Sequence, residues 1–181
     1  MRIKFHFFVT IKAKTMIPLL VCTLLFLSCE KMAVLFALRE PARIMLMDQA
    51  DEELVRIAED AQNTLHRFFR QLNRPGAGES GFSVKYPFAV DDESDIGTEQ
   101  VWLTNIQFKN GSYFGSLNSD PRYLNGKKKG DRVIFMADAI TDWMYIRNGN
   151  IIGGYSIRYL LERIPEEQRS DSERKLLQMF N

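Results

Sequence analysis

The residues of this chain whose types and spacing best suit chemistry are carboxylates. Asp91, Asp92, Glu93 and Asp95 crowd one short stretch and offer the oxygen donors that a hard divalent cation takes. They lack the order of an EF-hand, its central glycine and its closing glutamate, so the stretch reads as a solvated acidic loop. Asp138 and Asp142 would serve as an acid and base only if burial drew them together and split their pKa values; their spacing around a turn makes backbone capping and turn roles the more ordinary reading. The rest of the inventory is sparse. There are two histidines, His6 and His66, and two cysteines, Cys22 and Cys29. Neither cysteine belongs to a disulfide framework or a metal-ligand spacing. No HExxH, GxxxxGK(S/T), GxSxG or GxGxxG occurs. No catalytic residue, metal or cofactor is assigned from the sequence.

One stretch stands apart, DWMYIRNGNIIGGYSIR at 142–158. On a straight strand Trp143 and Tyr145 share one face, and Met144 and Ile146 share the other. Both faces are then apolar. Two readings follow: Trp143 and Tyr145 fill a core while Arg158 pairs with an acid, or Asp142, Trp143, Tyr145 and Arg158 line a groove for a small ligand or a protein. Those four residues are the binding site expected from sequence.

The elements that must position them are legible from periodicity. In DQADEELVRIAEDAQNTLHRFFRQL, Leu54, Ile57, Ala58, Ala61, Leu65, Phe68 and Leu72 recur at spacings of three and four and form one apolar stripe. Asp48 or Asp51 can cap this helix, and Arg67 and Arg70 fall near its C-terminal end, where the dipole favours cations. From Phe82 the period drops to two. FSVKYPF is a strand that ends at, or lies at an edge near, Pro87. VWLTNIQFKNGSYFGSL is a hairpin about Asn110-Gly111, whose positive-φ preference suits a type I′ turn. That turn opposes Phe108 to Tyr113, Ile106 to Gly115 and Trp102 to Ser119, so Trp102, Ile106, Phe108, Tyr113 and Leu117 are expected on one face. DRVIFMADAI is apolar on both sides, as an enclosed strand would be. A hairpin about 148–150, a short helix IRYLLERI and a last helix begun by the capping-box pair Ser170 and Glu173 complete the chain. The expected class is α+β: a small antiparallel sheet, strongly bent or partly closed into a barrel, flanked by an N-terminal amphipathic helix and C-terminal helices.

The first residues read as an export signal. Arg2, Lys4, Lys12 and Lys14 precede MIPLLVCTLLFLS, a 13-residue apolar run at 16–28 that is short for a membrane span and suited to a signal h-region. FLSC ending at Cys29 is similar to a bacterial lipobox, which makes Cys29 the expected lipidation site. The expected organisation is a signal at 1–29, a connector with an edge strand at 30–47, one domain at 48–164 and a C-terminal helix at 165–181. Four of the 24 Lys and Arg residues precede Cys29, which leaves 20 against 23 Asp and Glu and a net charge of −3. Such a balance gives no footprint for nucleic acid.

Several segments together resemble the DUF2314, or YegJ-like, family of uncharacterised bacterial proteins: FSVKYPF at 82–88, VWL at 101–103, FGSLNSDP at 114–121, KKGDRV at 128–133, ITDWMYI at 140–146 and GGYSIRYL at 153–160. Two positions depart from the family's usual pattern: Gln100 follows Glu99 where relatives often carry histidine, and Ser156 stands where they carry threonine. The resemblance implies a shared domain and no reaction. The functional expectation is a non-enzymatic binding or accessory protein of the cell envelope, held at the membrane by a lipid on Cys29. The alternatives are a carboxylate-based, metal-assisted hydrolase and a self-associating structural domain.

Overall fold

A computed structural model describes residues 52–90 and 97–180. The signal, Cys29, the connector, the helix caps Asp48 and Asp51 and the acidic loop Asp91–Asp95 lie outside the described residues. The chain runs α1 (Glu52–Asn73), β1 (Glu79–Ala89), β2 (Thr98–Lys109), β3 (Ser112–Leu117), β4 (Arg132–Phe135), β5 (Asp142–Arg147), β6 (Asn150–Gly153), α2 (Tyr155–Glu162) and α3 (Asp171–Gln178). Helix, meander, helices is the order expected, and the class is α+β.

The barrel expectation is overturned. The six strands form one open antiparallel sheet in the order β4-β3-β2-β1-β5-β6, neither closed nor strongly curled. Closure would need β4 to pair with β6. Instead β6 spends its outer donor elsewhere: Ile151 N–H bonds the Met179 carbonyl at 2.6 Å. The central strands run 11 and 12 residues and the two edges only 4 each, too little edge to seal a cylinder.

Both faces of the sheet are covered at the β5 end. Trp143 and Tyr145 face α1 with Val84, Leu103 and Phe135, and pack on Ala61, Leu65 and Phe68. Met144 and Ile146 face the other way, onto Ile157, Leu161 and Leu176 of α2 and α3. The alternation read from sequence therefore holds, with both sides buried. Gln62 of α1 ties the layers at one end by donating to the carbonyls of Ala137 at 3.1 Å and Ile140 at 2.6 Å. Ser170 and Glu173 make the expected capping box on α3.

Two local expectations fail for identifiable reasons. Phe108 does oppose Tyr113, but the β2–β3 register shifts between Thr104 and Gln107, where Asn105 takes φ 51°. This bulge flips the parity of β2. Val101, Leu103 and Ile106 thus face α1, while Trp102 turns to the opposite side and its carbonyl accepts from Asn118 N–H at 2.9 Å. Strand β4 is an edge, not enclosed: Val133 and Phe135 are buried, but Ile134 and Met136 are 63% and 62% exposed. At Pro87 the edge alternative holds: β1 continues to Ala89 paired with β2 alone, because its β5 pairing stops at Lys85.

Gly153 and Gly111 both adopt positive φ, 81° and 77°, but only Gly153 lacks space: a Cβ there would lie 2.2 Å from the Trp143 carbonyl oxygen, whereas none of the surroundings of Gly111 comes within 4 Å. Gly111→Ala is expected to cost on the order of 1 kcal/mol, and Gly153→Ala distinctly more, because left-handed strain of about 1–3 kcal/mol is joined by a backbone clash. Urea denaturation of both variants checks this; equal losses would refute the close approach.

Candidate functional site

Asp142 opens β5 and is fully buried. Its Oδ1 accepts from the N–H of Trp143 at 2.7 Å and of Tyr155 at 3.2 Å; its Oδ2 accepts from the N–H of Ser156 at 2.8 Å and from Ser156 Oγ at 2.7 Å. Helix α2 starts after Gly154, which has no side chain to cap it. Asp142 supplies the missing acceptor from another strand and places a carboxylate at the positive end of the helix. Half-buried Lys85 donates to Ser156 Oγ at 3.3 Å from the neighbouring strand. Burial pushes the Asp142 carboxyl up, against the bonds from Ser156 and Trp143 and the Lys85 charge, which favour ionisation. Burial pushes the Lys85 ammonium down, opposed by Asp142. Asp138, by contrast, sits exposed in the turn at Ala137–Ala139. The two aspartates do not form a buried dyad.

The four-residue groove is not what the fold assembles. Trp143 and Tyr145 are 2% and 4% exposed. Trp143 Nε1 donates to the Ala61 carbonyl at 2.9 Å and to Thr64 Oγ1 at 3.2 Å, and its ring meets Phe68, Tyr145 and Tyr155 at centroid distances of 5.8, 6.2 and 5.7 Å. Arg158 is exposed on α2 and pairs with Glu162 at 2.8 Å. Trp143 and Tyr145 thus belong to the core, and Arg158 is turned to its own helix.

What does reach solvent beside the buried rings is a different cleft, of about 290 Å³, between the C-terminal half of α1 and the β5–β6 hairpin. Arg67 and Arg70 border it from α1 and Arg147 from β5, while Trp143, Tyr145, Ile152 and Tyr155 contribute its apolar wall. Arg147 is fixed: its Nε donates to Glu79 Oε1 at 2.7 Å and its Nη2 to the Tyr145 hydroxyl at 2.8 Å. Glu79 is held in turn by Gln71 Nε2 at 2.6 Å and Gly76 N–H at 2.7 Å. Burial raises the Glu79 carboxyl, but the bonds from Gly76, Arg147 and Gln71 and the Arg147 charge outweigh it and hold the group below the usual carboxylate range. Burial pushes the Tyr145 phenol up, so it stays a hydroxyl; the Arg147 and Arg70 charges oppose that rise and Glu79 adds to it. Among the described residues the side chains of Arg67 and Arg70 take part in no hydrogen bond or ion pair. A second cleft, of about 270 Å³ beside Gln107 and Arg132, differs in this respect, because Arg132 already stacks on Phe114 and donates to Gln107.

Sequence reasoning missed this cleft. Arg67 and Arg70 were legible only as favourable charges near a helix end, and Arg147 only as the residue before a turn. Their convergence depends on α1 lying across β5, which no local pattern encodes. Among the described residues no group of three or more His, Cys, Asp or Glu side chains is placed to hold a metal, and no helix is long and apolar enough to cross a membrane.

A family model described as "Uncharacterized protein conserved in bacteria (DUF2314)" matches residues 51–176. A Neisseria meningitidis serogroup B protein whose name describes it as an ankyrin repeat protein is 33% identical over 134 residues, covering 72% of this chain and 53% of the relative. This chain therefore spans about half the length of that relative. The uncharacterized protein YegJ of Escherichia coli K12 is 32% identical over 118 residues, covering 65% of this chain and 72% of YegJ. No solved structure matches the chain significantly.

The Asp142 cap yields a graded expectation. Asp142→Ala leaves two buried N–H groups and one half-buried N–H group without their acceptor and is expected to destabilise by about 3 kcal/mol or more; Asp142→Asn keeps one acceptor oxygen and should cost about 2, and Ser156→Ala about 1. Chemical denaturation of the three variants measures the order. An Asn variant as stable as the parent would show that the carboxylate is not the cap.

Proposed function

We propose that this chain, which belongs to the DUF2314 family, is a binding protein of the bacterial cell envelope whose α1–β5 cleft holds an anionic ligand without transforming it. The observation that carries this reading is the pair Arg67 and Arg70, two guanidiniums without a carboxylate among the described residues, bordering the same cleft as Arg147. A guanidinium is always charged and presents a planar fork of donors suited to carboxylate or phosphate oxygens. Arg147 is already oriented by Glu79 and Tyr145, so part of the site is ordered before a ligand arrives, which lowers the entropic cost of binding. At about 290 Å³ the cleft lies just under the usual range for small-ligand sites, which suits a compact anion.

Binding is favoured over hydrolysis by the state of the carboxylates. Asp142 has both oxygens engaged in capping, and Glu79 is committed to Arg147, Gln71 and Gly76. Neither is left poised to take a proton from water. The envelope part of the proposal rests on the basic start, the apolar run at 16–28 and the lipobox-like FLSC. A diacylglycerol on Cys29 would tether the domain to the membrane.

Titration calorimetry with a panel of small anions is expected to give saturable binding that Arg67→Gln and Arg70→Gln each weaken at least tenfold without loss of fold, since both side chains are exposed. Silence across the panel, or indifference to both substitutions, would defeat the cleft reading. Mass spectrometry of the mature chain from a bacterial host is expected to place a diacylglyceryl-modified Cys29 at the N-terminus, and an unprocessed Met1 would defeat the envelope reading.

A further inference from the structure

Resting on the anion-binding reading of the α1–β5 cleft, we infer that the group it takes is a terminal phosphoryl, carried on an organic remainder that packs along Ile152 and Tyr155. The first argument is charge. Three guanidiniums border the cleft and Glu79 cancels one of them, leaving about two positive charges for the ligand to meet. A phosphomonoester near neutral pH carries close to two negative charges, and a carboxylate carries one.

The second argument is the number and direction of donors. A carboxylate has two oxygens in one plane and is served best by a single bidentate fork. Here the forks come from two elements. Arg67 and Arg70 stand three residues apart on α1, hence side by side on the helix surface, and Arg147 reaches in from β5. Arg147 has its Nε committed to Glu79 and one hydrogen of Nη2 to the Tyr145 oxygen, so it cannot offer its Nε edge as a bidentate clasp. Its Nη1, which no described group engages, stays available to a ligand. Three cationic groups set on two elements suit a tetrahedral group with three terminal oxygens better than a flat one with two.

The third argument is the wall. The indole of Trp143 and the ring of Tyr155 meet edge to face, 5.7 Å apart at 83°, and the Tyr155 hydroxyl is occupied with Thr64 Oγ1 at 3.1 Å. Tyr155 and Ile152 therefore present carbon, not donors, to the cleft. Such a surface favours an ester over the bare inorganic ion, because the remainder of the ligand gains apolar burial. A lipid headgroup and a soluble phosphorylated metabolite share this chemistry.

The test measures binding of five soluble probes to the full-length chain by calorimetry: inorganic phosphate, phenyl phosphate, dibutyryl phosphatidic acid, acetate and benzoate. Phenyl phosphate is expected to bind at least tenfold more tightly than benzoate. Arg70→Gln should lower its affinity at least tenfold, and Arg70→Lys, which keeps the charge and loses the fork, should erase most of the phosphate-over-carboxylate preference. Phosphatidic acid binding more tightly than phenyl phosphate would assign the phosphoryl to a lipid, and the reverse would assign it to a soluble ester. Benzoate binding as tightly as phenyl phosphate, both sensitive to Arg70→Gln, would overturn the phosphoryl inference and leave the anion site standing. No binding by any probe would remove the anion site itself.

Discussion

The fold depends on one carboxylate serving two elements. Asp142 is the first residue of β5, yet three of its four bonds go to the start of α2, at Tyr155 and Ser156. Helix α2 follows Gly153 and Gly154, both left-handed, with φ of 81° and 67°, so the chain turns sharply out of β6 with no side chain available to cap the helix. The Gly154 N–H instead bonds the Trp143 carbonyl at 2.8 Å, and Asp142 takes the next two donors. A strand and a helix in different layers are thereby fixed in register. Everything that β5 carries then follows by alternation: Trp143 and Tyr145 to α1, Met144 and Ile146 to α2 and α3.

That constraint also explains why the aromatic residues are so fully covered. Trp143 is clamped at its backbone by Asp142 and at its indole by Ala61 and Thr64. Its neighbours Phe68, Tyr145 and Tyr155 come from three elements. Burying an indole of this size contributes on the order of 3 kcal/mol, and its N–H would oppose that gain if it lacked a partner. The chain supplies the partner twice over. A ring fixed this firmly is scaffold, and the cleft beside it inherits its rigidity.

Much of this was legible in the sequence, and what escaped has a physical cause. The stripe from Leu54 to Leu72, the type I′ turn at Asn110-Gly111, the hairpin about 148–150, the α3 capping box and the apolar character of both β5 faces are local patterns, each set by residues a few positions apart. The sheet's openness was not local. Mixed apolarity on Ile134 and Met136 looked like enclosure, but an edge strand can carry apolar side chains outward. The parity of Trp102 was lost at a single residue, because nothing in LTNIQF marks Asn105 as the bulge. The role of Asp142 as a remote cap was half legible: a carboxylate accepting backbone N–H groups was expected, but the helix it caps lies 13 residues on. Gln62, reaching the carbonyls of Ala137 and Ile140, had no sequence signal.

The cleft shows why its cations stay open when the chain as a whole is slightly acidic beyond Cys29. An unpaired guanidinium on an acidic protein ordinarily finds a carboxylate within reach of its long stem. Glu79, the carboxylate that pairs with Arg147 beside this cleft, is withdrawn. Its side chain is 4% exposed, against 45% for Arg147, and its oxygens are spent on Gln71, Gly76 and Arg147. The short loop after α1 makes this possible, since Gly76 turns its N–H onto Glu79 and the Gly78 carbonyl accepts from Asn148 N–H at 3.1 Å, pinning the β5–β6 turn that carries Arg147. Glu79 therefore orients one arginine and has its oxygens engaged elsewhere than at Arg67 and Arg70. Surface ion pairs are worth little, so stability alone gives no reason to hold a carboxylate in this way. An arrangement that fixes one guanidinium and leaves two without a partner among the described residues suits a site that receives its anion from outside.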